Sequence, residues 1–185
     1  MIIKKSTYFC LFITFFSCTI NDNTRSYQLQ KTSEPKITEK EQSERNKSTE
    51  LIWEKPNSWV PSEGSSMRLA SFSIPYSGDS GDLSVIQLGG DGGGLESNVN
   101  RWRRQLNLEP MSLIEIEKNI IMKEGSFSNY KIIQIINQKM DSAFLCAIIP
   151  NDNTTIFVKL SLKPIGINEV KDDFITFCSS LKFSS

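Results

Sequence analysis

Between Gly89 and Arg104 the chain concentrates the residues best suited to hold a ligand or a partner. Five glycines in six positions (Gly89, Gly90, Gly92, Gly93 and Gly94, with Asp91 among them) sit between a β-forming run, Leu83–Leu88, and a helical one, Leu95–Leu106. Glycines at a strand-to-helix junction can aim backbone N–H groups at an anion held at the positive end of the helix. Two phosphate-binding patterns are tested here and neither is met. A phosphate loop, G-x4-G-K-[ST], needs Lys and Ser or Thr after its last glycine, and Leu95-Glu96 stand there instead. The dinucleotide fingerprint, G-x-G-x2-G, starts with Gly90 and Gly92 but finds Leu95 in its third place. Asp91 inside the turn would repel an anion. The pattern predicts glycines that let a turn pack tightly against a neighbouring segment. Asp91, Gly92, Gly93 and Gly94 are the candidate binding residues if a ligand lies at its rim.

The second candidate is Arg101, Arg103 and Arg104, which flank Trp102. Arginine favours bidentate contacts to carboxylate and phosphate, so these residues suit docking on an acidic partner or on lipid headgroups. The alternative is a solvated helix face with neighbours such as Glu96 with Asn100 and Arg101 with Gln105. A third set, Asp79, Asp82, Asp91 and Glu96, offers oxygen ligands, but its spacing does not match the EF-hand loop, and no metal site is expected. Histidine is absent from the whole chain, which excludes His-dependent catalytic triads and His-ligated zinc. No cofactor is expected, and no catalytic residue can be named. Cys146, in the apolar run AFLCAII, and Cys178, on the apolar side of the last helix, could form a disulfide or remain two buried thiols; the second is favoured.

These residues need elements to position them. Leu95, Val99, Trp102 and Leu106, spaced four, three and four apart, form one helix face ending ahead of Pro110. Met67–Ile74 reads as a strand joined to the Leu83 strand through Pro75–Asp79 and Gly81, a hairpin. Ser112-Leu-Ile-Glu115 has capping-box spacing and starts a short helix. The runs Ile120–Lys123, Tyr130–Ile136, Ala143–Ile149 and Thr154–Leu162 are strands with turn residues between them, and such short connections imply antiparallel neighbours. Asn168–Leu181 places Val170, Phe174, Phe177, Cys178 and Leu181 on one face, a closing helix for the sheet. Trp53 and Trp59 are read as plugs at the domain edge rather than exposed anchors. The fold class is α+β, an antiparallel sheet covered by helices.

The first fifty residues differ in kind. Lys4 and Lys5 precede an apolar run, Tyr8–Phe16, too short to span a bilayer and proportioned like an export signal. It ends in Phe15-Phe16-Ser17-Cys18, which resembles a bacterial lipobox and implies cleavage before Cys18 with a diacylglyceryl group on its sulfur; Phe15 replaces the usual Leu. Residues 18–50 are polar, with six basic and six acidic residues between 19 and 50, and read as a disordered tether reaching roughly 30 Å. The expected organisation is a leader over 1–17, a lipid-anchored linker over 18–50 and a globular domain over 51–185. Formal net charge is zero, and removal of Lys4 and Lys5 leaves −2, so no basic footprint for nucleic acid is expected.

The opening W-x2-P-x2-W (Trp53, Pro56, Trp59) and the closing run from Phe157 to Phe183 resemble the PsbP-like α/β/α sandwich, over about Trp53–Phe183. The segments Arg68–Phe72 and Gly89–Leu106 resemble an uncharacterised bacterial branch of that family. The resemblance implies a module that docks on a protein partner, with no binding residues to carry over. Two functions stand open. One is a lipid-anchored, extracytoplasmic binding or accessory module without catalysis, held at the membrane by Cys18 and docked on an envelope protein. The other is a small-ligand or metal-dependent module, or an enzyme, that uses the Gly89–Gly94 turn with Asp82, Asp91 or Arg101.

Overall fold

The structure is a computed structural model that describes residues 50–184; the leader, Cys18 and almost all of the linker lie outside the described residues. Among the described residues nine strands and three α-helices follow in the order β1 (Leu51–Ile52), β2 (Val60–Pro61), β3 (Ala70–Tyr76), β4 (Asp79–Gly89), α1 (Leu95–Gln105), α2 (Leu113–Lys118), β5 (Ile121–Lys123), β6 (Tyr130–Asn137), β7 (Ser142–Asn151), β8 (Thr154–Leu162), α3 (Ile167–Ser180) and β9 (Lys182–Phe183). Seven strands form one sheet in the order β2-β3-β4-β8-β7-β6-β5, every neighbour antiparallel. The chain returns from β7 to place β8 beside β4, which closes the two hairpin groups into one surface. The remaining pair, β1 with β9, ties the start of the domain to its end through Leu51 opposite Phe183. The α+β class and the antiparallel sheet covered by helices agree with the sequence reading.

The central strands are buried on both faces, so their alternate residues feed two cores. One face presents Phe72, Ile74, Tyr76, Leu83, Val85, Leu145, Ile156, Val158 and Leu160 to the apolar side of α3, where Val170, Phe174, Phe177 and Cys178 are buried. Trp59 is fully buried within this core and Trp53 lies half-buried against it, the two packing around Phe72 and Phe177 at centroid distances of 5.1–6.2 Å. Both tryptophans therefore act as plugs. The opposite face presents Ile133, Ile135, Phe144, Cys146, Ile148 and Phe157 to α1 and α2, which bury Val99, Trp102, Leu106 and Ile116 against it. Full burial of such side chains stabilises by about 1.5–3 kcal/mol each. The β3 strand contributes nothing to this second core. There the face carries Ser71 and Ser73, with Asp82 and Ser84 of β4 beside them.

Three details differ from the sequence reading. Strand β3 begins at Ala70, not Met67, because Met67 and Arg68 belong to a tight turn in which Arg68 N–H donates to the Ser65 carbonyl. The hairpin turn is only Ser77-Gly78; both have positive φ (34° and 75°), so Pro75, Tyr76 and Asp79 remain in the ladder. Pro150 and Asn151 likewise stay in β7, paired with Thr155 and Thr154, and the turn is Asp152-Asn153. The capping box forms as read: Ser112 and Glu115 satisfy each other's backbone N–H groups at the start of α2.

Candidate functional site

The glycine turn is a packing device. Gly90 N–H donates to the Asn153 carbonyl, Gly92 N–H to Gly89, Gly94 N–H to Asp91, and Gly93 N–H to the Asp91 carboxylate at 2.9 Å. These four donors are engaged within the protein, and Asp91 occupies the place an anion would take. Asn98, 2 % exposed, clamps the turn to the helix by donating from Nδ2 to the carbonyls of Gly92 and Gly94. Gly92 has φ +63°, and a Cβ there would fall 2.4 Å from the Phe157 ring. The glycine is required because the turn lies directly on that ring.

The four carboxylates do not gather. Asp79 pairs with Lys163 at 2.9 Å, Asp82 accepts both terminal nitrogens of Arg68 at 2.9 Å, Asp91 is in the turn, and Glu96 is exposed in the first turn of α1. Hydrogen bonding from Lys163 holds the Asp79 carboxyl below the usual range, and the Asp82 hydrogen bond raises Arg68. Among the described residues no group of three metal-ligating side chains is found. A disulfide between Cys146 and Cys178 is also excluded in this fold. Cys146 faces the α1 side of the sheet, whereas Cys178 packs from α3 on the other. Burial pushes both thiols up, so they behave as small apolar side chains.

The arginines separate. At about 100° per residue, Arg101 and Arg103 leave α1 on opposite flanks while Arg104 points outward. Arg103 Nε donates to the Glu109 carbonyl in the connection to α2. Arg101 donates to Asn98 Oδ1 at 2.6 Å on the flank facing β4 and β8. Trp102 is 4 % exposed and packs edge-on against Phe157 at 6.1 Å, a core residue. The neighbour pairs named from spacing do not form either: Asn100 bonds the Met111 backbone in both directions, and Gln105 accepts from Lys159.

Arg101 joins residues that spacing did not associate with it. A groove of about 300 Å³ runs between α1 and the Met67-Arg68 segment, over Ser84, Ile86 and Leu88 of β4 and Phe157 and Lys159 of β8, with Gln105 at its rim. Lys159 Nζ lies 4.6 Å from the Phe144 ring centroid and donates to Gln105 Oε1 at 3.2 Å. Among the described residues no carboxylate pairs with it. Burial pulls the Lys159 pKa down; the positive charges of Arg68 and Arg101 act in the same direction, while Cys146 and the Asp82 carboxylate oppose it. A larger hollow, about 700 Å³, opens between the α1 N-terminus and α2, but Glu96 and Glu117 against Lys131 leave one net negative charge on its walls. The groove carries an excess of positive charge: Arg68, Arg101 and Lys159 line it, and Asp82 offsets Arg68.

No protein-family model and no curated protein matches the chain by sequence. The fold is similar to that of cyanobacterial PsbP. The solution structure of that protein from Synechocystis has a TM-score of 0.46 at 16 % identity, covering 74 % of this chain and 94 % of its own. LpqN of Mycobacterium tuberculosis, described as involved in cell envelope biogenesis, has a TM-score of 0.41 at 12 % identity, covering 73 % and 83 %. A protein from Bacteroides thetaiotaomicron has a TM-score of 0.45 at 11 % identity over 74 % of this chain, which spans 46 % of that protein's length.

Arg68, Ser84 and Lys159 were missed by sequence reasoning. The available signal was Lys159 itself, a lone charge inside the run Ile156-Phe157-Val158-Lys159-Leu160. Alternation puts it on the side of Phe157, opposite to Val158 and Leu160. What it meets there depends on which strands flank β8, and spacing along one strand does not contain that.

Proposed function

We propose that this chain is a lipid-anchored, extracytoplasmic binding or accessory module that works without catalysis. The lipobox ending at Cys18 and the polar segment over 18–50 support a tethered domain held off the membrane surface. Among the described residues no helix is long and apolar enough to cross a membrane. The observation that carries the reading is the cationic flank of α1: Arg101 and Lys159 line one groove without carboxylate partners, and Arg104 is exposed on the outer surface of the same helix. Such a surface suits docking on an acidic patch of an envelope protein, because unpaired rim charges steer encounter and set orientation. The glycine turn serves as its structural support.

Two experiments test this. Cys18→Ser should move the chain from the membrane fraction to the soluble one. Capture from crosslinked cells should retain a specific envelope protein with the native chain and with Arg103→Glu, and lose it with Arg101→Glu combined with Arg104→Glu. Identical capture by all three, or turnover traced to the domain, would overturn the docking reading.

A further inference from the structure

The groove beside α1 has two chemically different ends. In the register of β4 with β8, Ser84 stands opposite Lys159 and Ile86 opposite Phe157, with Leu88 beyond them. The first row is polar and is bordered by Arg68 and Gln105; the second, with Trp102, is apolar. Three cations line the groove, and Asp82, the bidentate partner of Arg68, offsets one of them. Two positive charges are left without a carboxylate among the described residues. A half-buried ammonium without a counter-charge is unfavourable, and an anion at this place would relieve it. An anion alone would leave the Ile86–Phe157 row bare, and a neutral apolar molecule would leave Lys159 uncompensated. The volume of about 300 Å³ is at the small end of ligand sites.

We infer that this groove binds a small amphiphilic anion, its carboxylate or phosphate head beside Lys159 and Ser84 and its apolar body along Ile86, Phe157 and Leu88. Arg101 supplies the further positive field that favours the head, Arg68 being offset by Asp82, and the apolar row sets the requirement for a tail. The inference goes beyond docking on a protein: that docking can fail while this site binds, and the reverse.

The test uses the exported full chain carrying Cys18→Ser, so that no acyl chain competes for the groove. Isothermal titration would compare octanoate and octyl phosphate with octanol, octyltrimethylammonium and inorganic phosphate, all below micelle-forming concentrations. The two amphiphilic anions should bind about tenfold or more tightly than octanol or inorganic phosphate. Lys159→Gln should weaken octanoate about ten- to hundredfold, the range for losing a charged hydrogen-bond partner. Arg101→Gln should weaken it in the same direction, with its urea unfolding midpoint recorded beside the affinity because Arg101 also bonds Asn98. Equal binding of octanoate and octanol, inorganic phosphate matching octyl phosphate, or unchanged affinity in both variants would each overturn the inference. Vesicles containing phosphatidylglycerol identify the source of the ligand: competition with octanoate marks a membrane lipid, and no competition marks a free amphiphile.

Discussion

Substitution of Gly92 by alanine separates a structural turn from a ligand-binding one. The new Cβ would lie 2.4 and 2.5 Å from two carbons of the Phe157 ring, where about 3.5–4.0 Å is the comfortable separation. The ring must therefore move by more than about 1 Å. Phe157 is 2 % exposed and holds Trp102 edge-on, so its movement disturbs the core under α1. Overpacking of this kind costs about 1–3 kcal/mol, and a left-handed backbone on a residue with Cβ adds about 1–2 kcal/mol. The sum is about 2–5 kcal/mol. Gly90→Ala has similar φ, +60°, but open space around it, and should cost only the backbone part, about 1–2 kcal/mol. Gly89→Ala, with neither positive φ nor a close neighbour, should stay within about 0.5 kcal/mol of the native chain. With a urea slope of about 2 kcal/mol/M, Gly92→Ala lowers the unfolding midpoint by about 1–2.5 M. The comparison needs only fluorescence-detected urea unfolding of the three variants. A midpoint for Gly92→Ala no lower than for Gly90→Ala would refute the contact with Phe157 as the reason for the glycine.

Other perturbations follow from the same geometry. Lys159→Met should raise the unfolding midpoint at pH 7, because it removes an ammonium whose pKa burial has lowered. That unfavourable contribution is fully present below the lowered folded pKa and disappears by the ordinary value of 10.5, so the gain over the native chain should shrink as pH rises through this window; a constant gain in urea melts across pH would contradict it. Asn98→Ala should lose about 1–3 kcal/mol, because the Gly92 carbonyl loses its Nδ2 donor and the Gly94 carbonyl keeps only the backbone N–H of residue 98, measured by the same unfolding assay. Cys146 and Cys178 should resist thiol reagents in the native protein and both react after denaturation, scored by mass; a disulfide-linked species would contradict their places on opposite faces of the sheet.

Local pattern carried much of this fold. The face Val99, Trp102 and Leu106, the capping box at Ser112 and Glu115, and the stripe Val170, Phe174, Phe177 and Cys178 each follow from spacing within one element, and each is buried or bonded as read. The glycine turn was legible as a tight-packing device, though not its contact, since Phe157 lies far along the chain. The candidate site was less legible because it is assembled across elements. Arg101 meets Lys159 only because β8 is inserted between β4 and β7. Arg101, Arg103 and Arg104 group in the sequence as one candidate surface, although helical rotation sets Arg101 and Arg103 on opposite flanks. The fold contains two buried thiols, the favoured reading of Cys146 and Cys178; the alternative disulfide would have needed α3 on the face of β7 where Cys146 sits, and the sheet lies between them.

The central claim is that the cationic flank of α1, and not the glycine turn, is the binding surface. A photoreactive residue introduced at Gln105, on the groove rim, and separately at Glu96, exposed beside the turn, tests it most directly in living cells. The account predicts a discrete adduct from position 105 and none from position 96. An adduct from position 96 with nothing from position 105 would contradict it and move the binding surface to the turn.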